Sequence, residues 1–350
     1  MRANGNTIGA MTANQRKVRW GVLGVANIAT EKVIPAMQHG DWSEVVAIAS
    51  RDAGRAAAAA RELGLARSHG SYEALIDDAE IEAIYNPLPN HLHVPWTIRA
   101  LEAGKHVLCE KPIGLTVADA EQLIEVRNRT GRKVQEAFMV RTHPQWLTAQ
   151  ALVREGRIGE LRSIAGYFSY FNRDAGNIRN VPTYGGGAMM DIGCYLIHTS
   201  RMMFGAEPRR VVSLIERDPE MHVDRLSSLM LDFERGQAIG TCSTQVAAWQ
   251  RMHMVGTRGR IEIEIPFNAP PDRPCRVFVD DGRDLFGGGI ETIEIPAVDQ
   301  YTVQGDLFSR AIREDGPVAY PLEDTVANMR VIDAAFRSEQ TGGWVTTSSP

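Results

Sequence analysis

The sequence predicts an α/β protein in two parts: a doubly wound parallel sheet, then an α+β part built on a mainly antiparallel sheet. Three features of the chain point there. From Val18 to Phe138, continuous apolar runs alternate with helical stretches, the pattern of a parallel sheet covered on both faces. Beyond Arg141, short β-rich runs succeed one another across turns, which suits hairpins rather than crossovers. A chain of 350 residues is also too long for one small core. The expected units are a flexible leader at 1–17, an α/β domain at 18–140 and an α+β domain at 141–350.

KVRWGVLG is an apolar run ending in glycine, and Ile28 to His39 then has helical spacing. EVVAIAS (Glu44–Ser50) is a second strand, followed by the alanine-rich helix RDAGRAAAAAREL. EAIYNPLP (Glu82–Pro89) reads as a third strand stopped by prolines, and HVPWTIRALEAG as a helix ending at Gly104. KHVLCEKP is the next strand, and a helix from Val117 to about Arg129 stops at Gly131. RKVQEAF (Arg132–Phe138) completes the sheet.

In the second part WLTAQALVREG reads as a helix and LRSIAGYFSYF as a strand. A helix near Ile192–Phe204 precedes the strand candidates RRVVSLIER, LSSLMLDFE, QAIGTCSTQ, RMHMVGT and GRIEIEI. Helices around Tyr301–Arg313 and Leu322–Ser338 follow, and the terminal TTSSP is expected to fray.

Hydrophobic content of 44% and charged content of 23% are ordinary for a globular protein in water. A net charge of -5 without a basic run argues against nucleic acid as the main partner. No stretch approaches the ~20 apolar residues of a membrane span. MRANGNTIGAMTANQRK lacks the apolar segment of a secretory signal, and Met11 is a second candidate start. Cys109, Cys194, Cys242 and Cys275 are widely spaced, with no C-x-x-C and no histidine at zinc spacing. They predict buried or neutral thiols in a reducing, cytoplasmic compartment, and no metal site.

Ligands of doubly wound sheets bind outside the carboxyl ends of the strands, and in VLCEKPIG Lys111 follows its strand directly. A lysine there costs desolvation unless something negative, polar or reactive meets it; the bland reading is a surface charge on a departing loop. GVLGVANIA opens a helix straight after the first strand. Gly24, Ala26 and Ala29 fill the dinucleotide pattern as G-x-A-x-x-A, with Asn27 and Ile28 in the turn, and the alanine at 26 crowds a diphosphate slightly. At the end of the second strand Ser50 and Arg51 favour NADP, because an arginine fork matches a 2′-phosphate. The alternative is NAD, with Asp52 on the ribose and Arg51 merely solvated.

LPNHLH, AGKHVLCEKP and GGGAMMDIGCY, in that order behind this opening, resemble the glucose–fructose oxidoreductase and inositol dehydrogenase family (Gfo/Idh/MocA), from about Val18 to about Val345. The resemblance implies an N-terminal NAD(P)-binding Rossmann domain and a C-terminal α+β domain for substrate. That domain's large, open, mainly antiparallel sheet would join a homodimer or homotetramer. It also implies hydride transfer between nicotinamide and a sugar or polyol carbon. Lys111 is then catalytic, with Pro112 holding the turn through a cis bond. Burial and the positive nicotinamide ring are expected to lower Lys111 from ~10.4 towards acid–base use.

The second family segment falls on Asp191-Ile192-Gly193-Cys194-Tyr195, with tyrosine where many sugar-alcohol dehydrogenases have histidine. This is similar to the branch of glucose–fructose oxidoreductase, aldose dehydrogenases and dihydrodiol dehydrogenase. Tyr195 is then the phenolic proton donor or acceptor, made more acidic by Lys111, and Asp191 accepts a substrate hydroxyl. The P-N-x-x-H motif falls on Pro89, Asn90 and His93. The resemblance places these at the nicotinamide half of the cofactor and counts Glu110 and Lys111 among the cofactor-binding residues; His93 read alone is equally a helix-start residue satisfied by backbone groups. Arg179 is a candidate to reach substrate, and Gly185–Gly187 to let a loop approach it. His198, Trp96, Trp146 and Trp249 read as packing.

Four functions stay open. The leading one is an NADP-dependent aldose 1-dehydrogenase acting on D-xylose or a similar sugar. The others are an oxidoreductase of trans-dihydrodiols or dicarbonyls, one that passes hydride between two sugars on a held nucleotide, and a nucleotide-sensing binding protein. A proton-transfer constellation at Lys111, Asp191 and Tyr195 counts against the sensor.

Overall fold

The computed structural model describes residues 16–347. The expected leader, apart from Arg16 and Lys17, and the alternative start at Met11 lie outside the described residues. Six parallel strands make the first sheet: β1 (Val18–Leu23), β2 (Ser43–Ala49), β3 (Arg67–His69), β4 (Ala83–Asn86), β5 (His106–Cys109) and β6 (Val134–Glu136), in the order β3-β2-β1-β4-β5-β6. All of β4 is buried, and of β1 only Arg19 is not, as a sheet covered on both faces requires. Strand order reverses between β1 and β4, which opens a crevice at their carboxyl ends. β3 is not visible in the sequence because Arg67, Ser68 and His69 are all unburied and carry no apolar signal. Glu82–Pro89 therefore supplies the fourth strand rather than the third.

The second sheet holds β7 (Leu161–Phe171), β8 (Arg210–Arg217), β9 (Asp224–Phe233), β10 (Gly236–Ser243), β11 (Gln245–Gly256), β12 (Arg260–Ile263), β13 (Cys275–Asp280), β14 (Ile290–Ile295) and β15 (Val345–Thr346). Their order is β14-β13-β12-β11-β7-β10-β9-β8-β15. β7 and β10 run parallel, while the β9–β10 and β7–β11 neighbours are antiparallel. The cause is the crossover: the chain leaves β7, passes through helix Cys194–Phe204, and returns by the β8–β9–β10 meander beside β7 in the same direction. β13 and β14 are additions to the sequence reading, since β14 is almost wholly exposed and gives little apolar pattern. Thr346 pairs with Arg210, so the tail is still in the sheet where fraying was expected to begin.

The exposed face of this sheet carries an apolar groove bounded by Tyr167, Leu214, Ile239 and Trp249. Trp249 is 52% exposed there, against Tyr167 at 4.8 Å between ring centroids, which corrects the packing role expected for it. Trp146 is fully buried and Trp96 rests edge-on against Tyr72, in line with the packing reading.

Helix Gln300–Arg313, far along the chain, returns to cover the first sheet. Phe308 packs on Trp20 at 5.6 Å between centroids, and Trp20 Nε1–H donates to Ser309 Oγ at 3.0 Å. Asp306 accepts the amides of Asp41 and Trp42 at 2.8 and 2.9 Å, and Arg313 forks onto Glu82 at 2.9 and 2.7 Å. Phe308 is 1% exposed. Phe308→Ala is expected to cost about 3–5 kcal/mol in urea unfolding, through lost burial and the cavity left behind. A loss below about 1 kcal/mol would show that the first sheet does not depend on this helix.

Candidate active site

β5 ends at Cys109, and the chain turns through Glu110 and a cis Lys111–Pro112 bond, as the resemblance implied. The turn is fastened from below: the Ile113 amide donates to Glu136 Oε1 at 2.8 Å, at the end of β6. Burial lifts the Glu136 carboxyl to about 7. Glu110 accepts the Tyr85 hydroxyl at 2.7 Å and the Lys111 amide at 3.3 Å, and burial raises its carboxyl too. Lys111 is thereby held at the carboxyl edge of the sheet, pointing at the second half of the chain.

There it meets Asp191. Lys111 Nζ donates to the Asp191 carbonyl at 2.6 Å and to Oδ1 at 3.3 Å, with side-chain exposures of only 12% and 13%. Asp191 Oδ2 accepts the Tyr170 hydroxyl at 2.5 Å and Arg179 Nε–H at 3.1 Å. Asp191 sits in a π-helical turn, Met189–Gly193, that leads into helix Cys194–Phe204; such turns recur at functional sites. Lys111, Asp191 and Arg179 thus come together as expected. Tyr170 is an addition, because a tyrosine in an apolar strand reads as core.

The electrostatics overturn two expectations. Burial does push the Lys111 ammonium down, but Asp191, with help from Cys194 and Glu110, outweighs it and holds Lys111 above the usual lysine value. The expected lowering is therefore absent in the protein alone, and Lys111 is charged. Burial by itself would raise the Asp191 carboxyl, yet Lys111, Arg179 and the Tyr170 hydroxyl hold it well below the usual carboxylate range. Tyr195 is 4% exposed and donates its hydroxyl to Met139 Sδ at 3.3 Å. Lys111 Nζ lies 5.0 Å from the centroid of its ring, facing the ring rather than the hydroxyl. Burial raises the phenol well above its ordinary value, so Lys111 does not make Tyr195 more acidic here. Asp191 is also less free to take a substrate hydroxyl than expected: Oδ2 is occupied twice, and Oδ1 faces Lys111.

At the nucleotide edge, Gly24 has φ +84°, and a Cβ there would lie 3.0 Å from Leu88. Ile28 stands at the helix start without a side-chain cap, beside Ala26 and the exposed Asn27, while the Ala29 and Thr30 amides already donate to the Ala26 carbonyl at 2.9 and 3.0 Å. Ser50 is buried, with Oγ accepting the Asp52 amide at 3.2 Å, and Arg51 is exposed. Asp52 caps the next helix by accepting the Arg55 amide at 3.0 Å, which engages the carboxylate an NAD site would need. Arg55 Nη2–H donates to the Val25 carbonyl at 2.9 Å, bringing a second guanidinium to the loop. The signal for it was its place in the first turn of the helix that Asp52 caps. This edge fits a dinucleotide bearing a 2′-phosphate.

His93 is a correction. It is 1% exposed, and its Nδ1 and Nε2 lie 2.7 and 2.6 Å from the carbonyls of Pro112 and Leu88. Burial lowers it to about 4 against the pull of those carbonyls. Neutral, the ring carries one N–H and donates to one of these two carbonyls, and its burial leaves almost no surface for a cofactor. Pro89 is half-buried beside Asn90, which donates Nδ2–H to the Gly185 carbonyl at 2.9 Å and links the two halves of the site. His198 is core, stacked on Phe138 at 4.0 Å, and the four cysteines are free and buried. Among the described residues no cluster of three His, Cys, Asp or Glu could hold a metal ion.

Asp191→Asn is expected to drop the Lys111 pKa below that of a free lysine, since burial then acts with little to oppose it. Carbon-13 NMR titration of the Lys111 Cε reads this directly. An unchanged, raised value in the variant would show that Asp191 is not what holds the charge.

Comparison with known proteins agrees with this geometry. Residues 18–138 match the family model described as an oxidoreductase family with an NAD-binding Rossmann fold, and residues 146–262 match the GFO/IDH/MocA C-terminal domain. The chain is 48% identical to the uncharacterized oxidoreductase ORF334 of Rhizobium meliloti, across 94% of this chain and 99% of that protein. It is 35% identical to D-xylose 1-dehydrogenase (NADP(+)) 2 of Haloferax volcanii, across 93% and 98%. Among solved structures it is similar to KijD10, a 3-ketoreductase from Actinomadura kijaniata in complex with NADP and TDP-benzene. The TM-score is 0.86 at 31% identity, over 92% of this chain and 98% of that one. The chain belongs to the Gfo/Idh/MocA family of oxidoreductases.

Proposed function

We propose that this protein is an NADP-dependent oxidoreductase that moves hydride between nicotinamide and a sugar carbinol, acting as an aldose 1-dehydrogenase on D-xylose or a similar aldose and releasing the lactone. The observation that carries this is the meeting of Lys111 with Asp191 beyond the carboxyl end of β5, at the edge where strand order reverses between β1 and β4. The xylose dehydrogenase relative, with NADP in its name, supports both the substrate class and the cofactor. Residues 18–140 hold the nucleotide in this reading, and 141–350 hold the sugar.

Gly24, Ala26, Asn27 and Ile28 receive the diphosphate, Ser50 and Arg51 with Arg55 receive the 2′-phosphate, and Pro89, Asn90 and Glu110 border the nicotinamide. Bound NADP supplies the hydride acceptor. Lys111 orients the reacting oxygen by hydrogen bonding; in the oxidising direction the hydroxyl proton passes to Lys111 in its neutral form, which the positive nicotinamide ring of bound NADP would favour, and in the reducing direction the ammonium returns a proton. Tyr195, whose hydroxyl has only the weak acceptor Met139 Sδ, is the second proton-transfer group. Asp191 fixes Lys111, and Arg179 stands beside it at the cleft. A second reading, reduction of a keto-sugar, is favoured by the fact that Lys111 is held charged, the form that donates a proton. The apolar groove on the second sheet, where Leu214 is 77% exposed, is covered by a second copy of the chain in this proposal.

Initial rates of NADPH formation across a panel of aldoses are expected to show turnover, with D-xylose or a close relative best. Lys111→Ala should lower it by roughly 10²–10⁴-fold. Absence of turnover with every aldose, in protein that still binds NADP, would remove the dehydrogenase reading and leave keto-sugar reduction. Arg51→Ala should raise the KM for NADP about 10- to 100-fold while leaving NAD nearly unaffected. Equal effects on both nucleotides would mean that Arg51 does not meet a 2′-phosphate.

A further inference from the structure

The glycine run before Asp191 is shaped around a buried carboxylate. Asp224, the first residue of β9, is 2% exposed. Its Oδ2 accepts the Met189 amide at 2.6 Å and the Ser227 hydroxyl at 3.0 Å. Gly187 has φ +117°, and a Cβ on it would lie 1.8 Å from Asp224 Oδ1. Residue 187 must therefore be glycine for two separate reasons, its backbone angle and the room it leaves for the carboxylate. Met189 begins the π turn that carries Asp191, and Ala188 before it offers no side-chain cap. Asp224 supplies that cap from a strand of the second sheet.

We propose that Asp224 is a positioning residue: its ionised carboxylate anchors the start of the helix whose next turns present Asp191 to Lys111 and carry Tyr195, and it never touches substrate. This rests on the reading of Lys111, Asp191 and Tyr195 as the reacting site. The groups around it are few. Ser227 comes from its own strand, Met189 and Gly187 from the loop and turn, the Cys242 thiol from β10, and the Arg217 guanidinium from the end of β8. Burial raises the Asp224 carboxyl to about 6, while the Met189 amide, Ser227 and Arg217 oppose that rise. Below that pH the group takes up a proton, its hold on the Met189 amide weakens, and the helix start loosens. The anchor is complete above this pH and lost on acidification.

The test follows the Met189 amide by ¹H–¹⁵N NMR from pH 5 to 8 in the full-length protein, alongside kcat and the KM for NADP. In the wild type the Met189 shift is expected to titrate near pH 6, with kcat falling over the same range. Asp224→Asn should abolish that titration, lower kcat by roughly ten- to a hundredfold and leave the NADP KM within about twofold. Ser227→Ala removes one donor to the carboxylate, so both transitions should move to higher pH. A Met189 titration unchanged in Ser227→Ala, or an Asp224→Asn variant with wild-type kcat and acid limb, would overturn the proposal. Should Asp224→Asn fail to fold, Ser227→Ala decides alone. Absence of turnover with any sugar would count against the functional reading only, because the Met189 titration still decides the anchor.

Discussion

The arrangement turns on one ion pair, Lys111 with Asp191. A lysine at 12% side-chain exposure and an aspartate at 13% stay charged chiefly because each is the other's partner, with Arg179 and Tyr170 supporting Asp191. Lys111 follows β5 of the first sheet and Asp191 lies in the π turn Met189–Gly193 of the second half of the chain, so the pair joins the carboxyl edge of the first sheet to that turn. Every other polar residue of the site arranges itself around it. Tyr170 and Arg179 complete Asp191, Glu110 adds a further negative charge near Lys111, and Asn90 reaches across to Gly185.

Four carboxylates, Glu110, Glu136, Asp191 and Asp224, lie at or behind the reacting centre. Glu110, Glu136 and Asp224 are all buried or nearly so, and burial raises each of them, whereas Asp191 alone is driven down by cations. Three of the four hold backbone amides: Glu110 that of Lys111, Glu136 that of Ile113 and Asp224 that of Met189. Buried carboxylates thus set the backbone of both reactive segments, and this fixes Lys111 and Asp191 more firmly than side-chain packing alone would.

Much of this was legible in the chain. The parallel sheet followed from apolar runs such as EVVAIAS, and the crevice from its topology; Lys111 at a strand end was odd enough to demand a partner. The tight turn at Gly24, with φ +84°, was readable because it depends on local spacing. What escaped depends on long-range approach. Tyr170, Glu136 and Asp224 lie in strand segments where a polar side chain gives no sign of what faces it. His93 was open to two readings, and two carbonyls from separate loops decided it. The sign of the Lys111 shift was missed for the same reason: burial can be guessed from position, but the opposing Asp191 is 80 residues away. The short, polar β3 and the exposed β14 gave no periodicity to read.

The central claim is that hydride passes between a sugar carbinol and NADP beside Lys111. Reaction of D-xylose deuterated at C1 with NADP, followed by mass and NMR analysis of the nicotinamide product, tests it most directly. The account predicts one deuterium at C4 of NADPH, on a single face of the ring, with a slower rate than for protiated sugar. NADPH formed without deuterium would contradict it, because the transferred hydrogen would then not be the one on the sugar's reacting carbon.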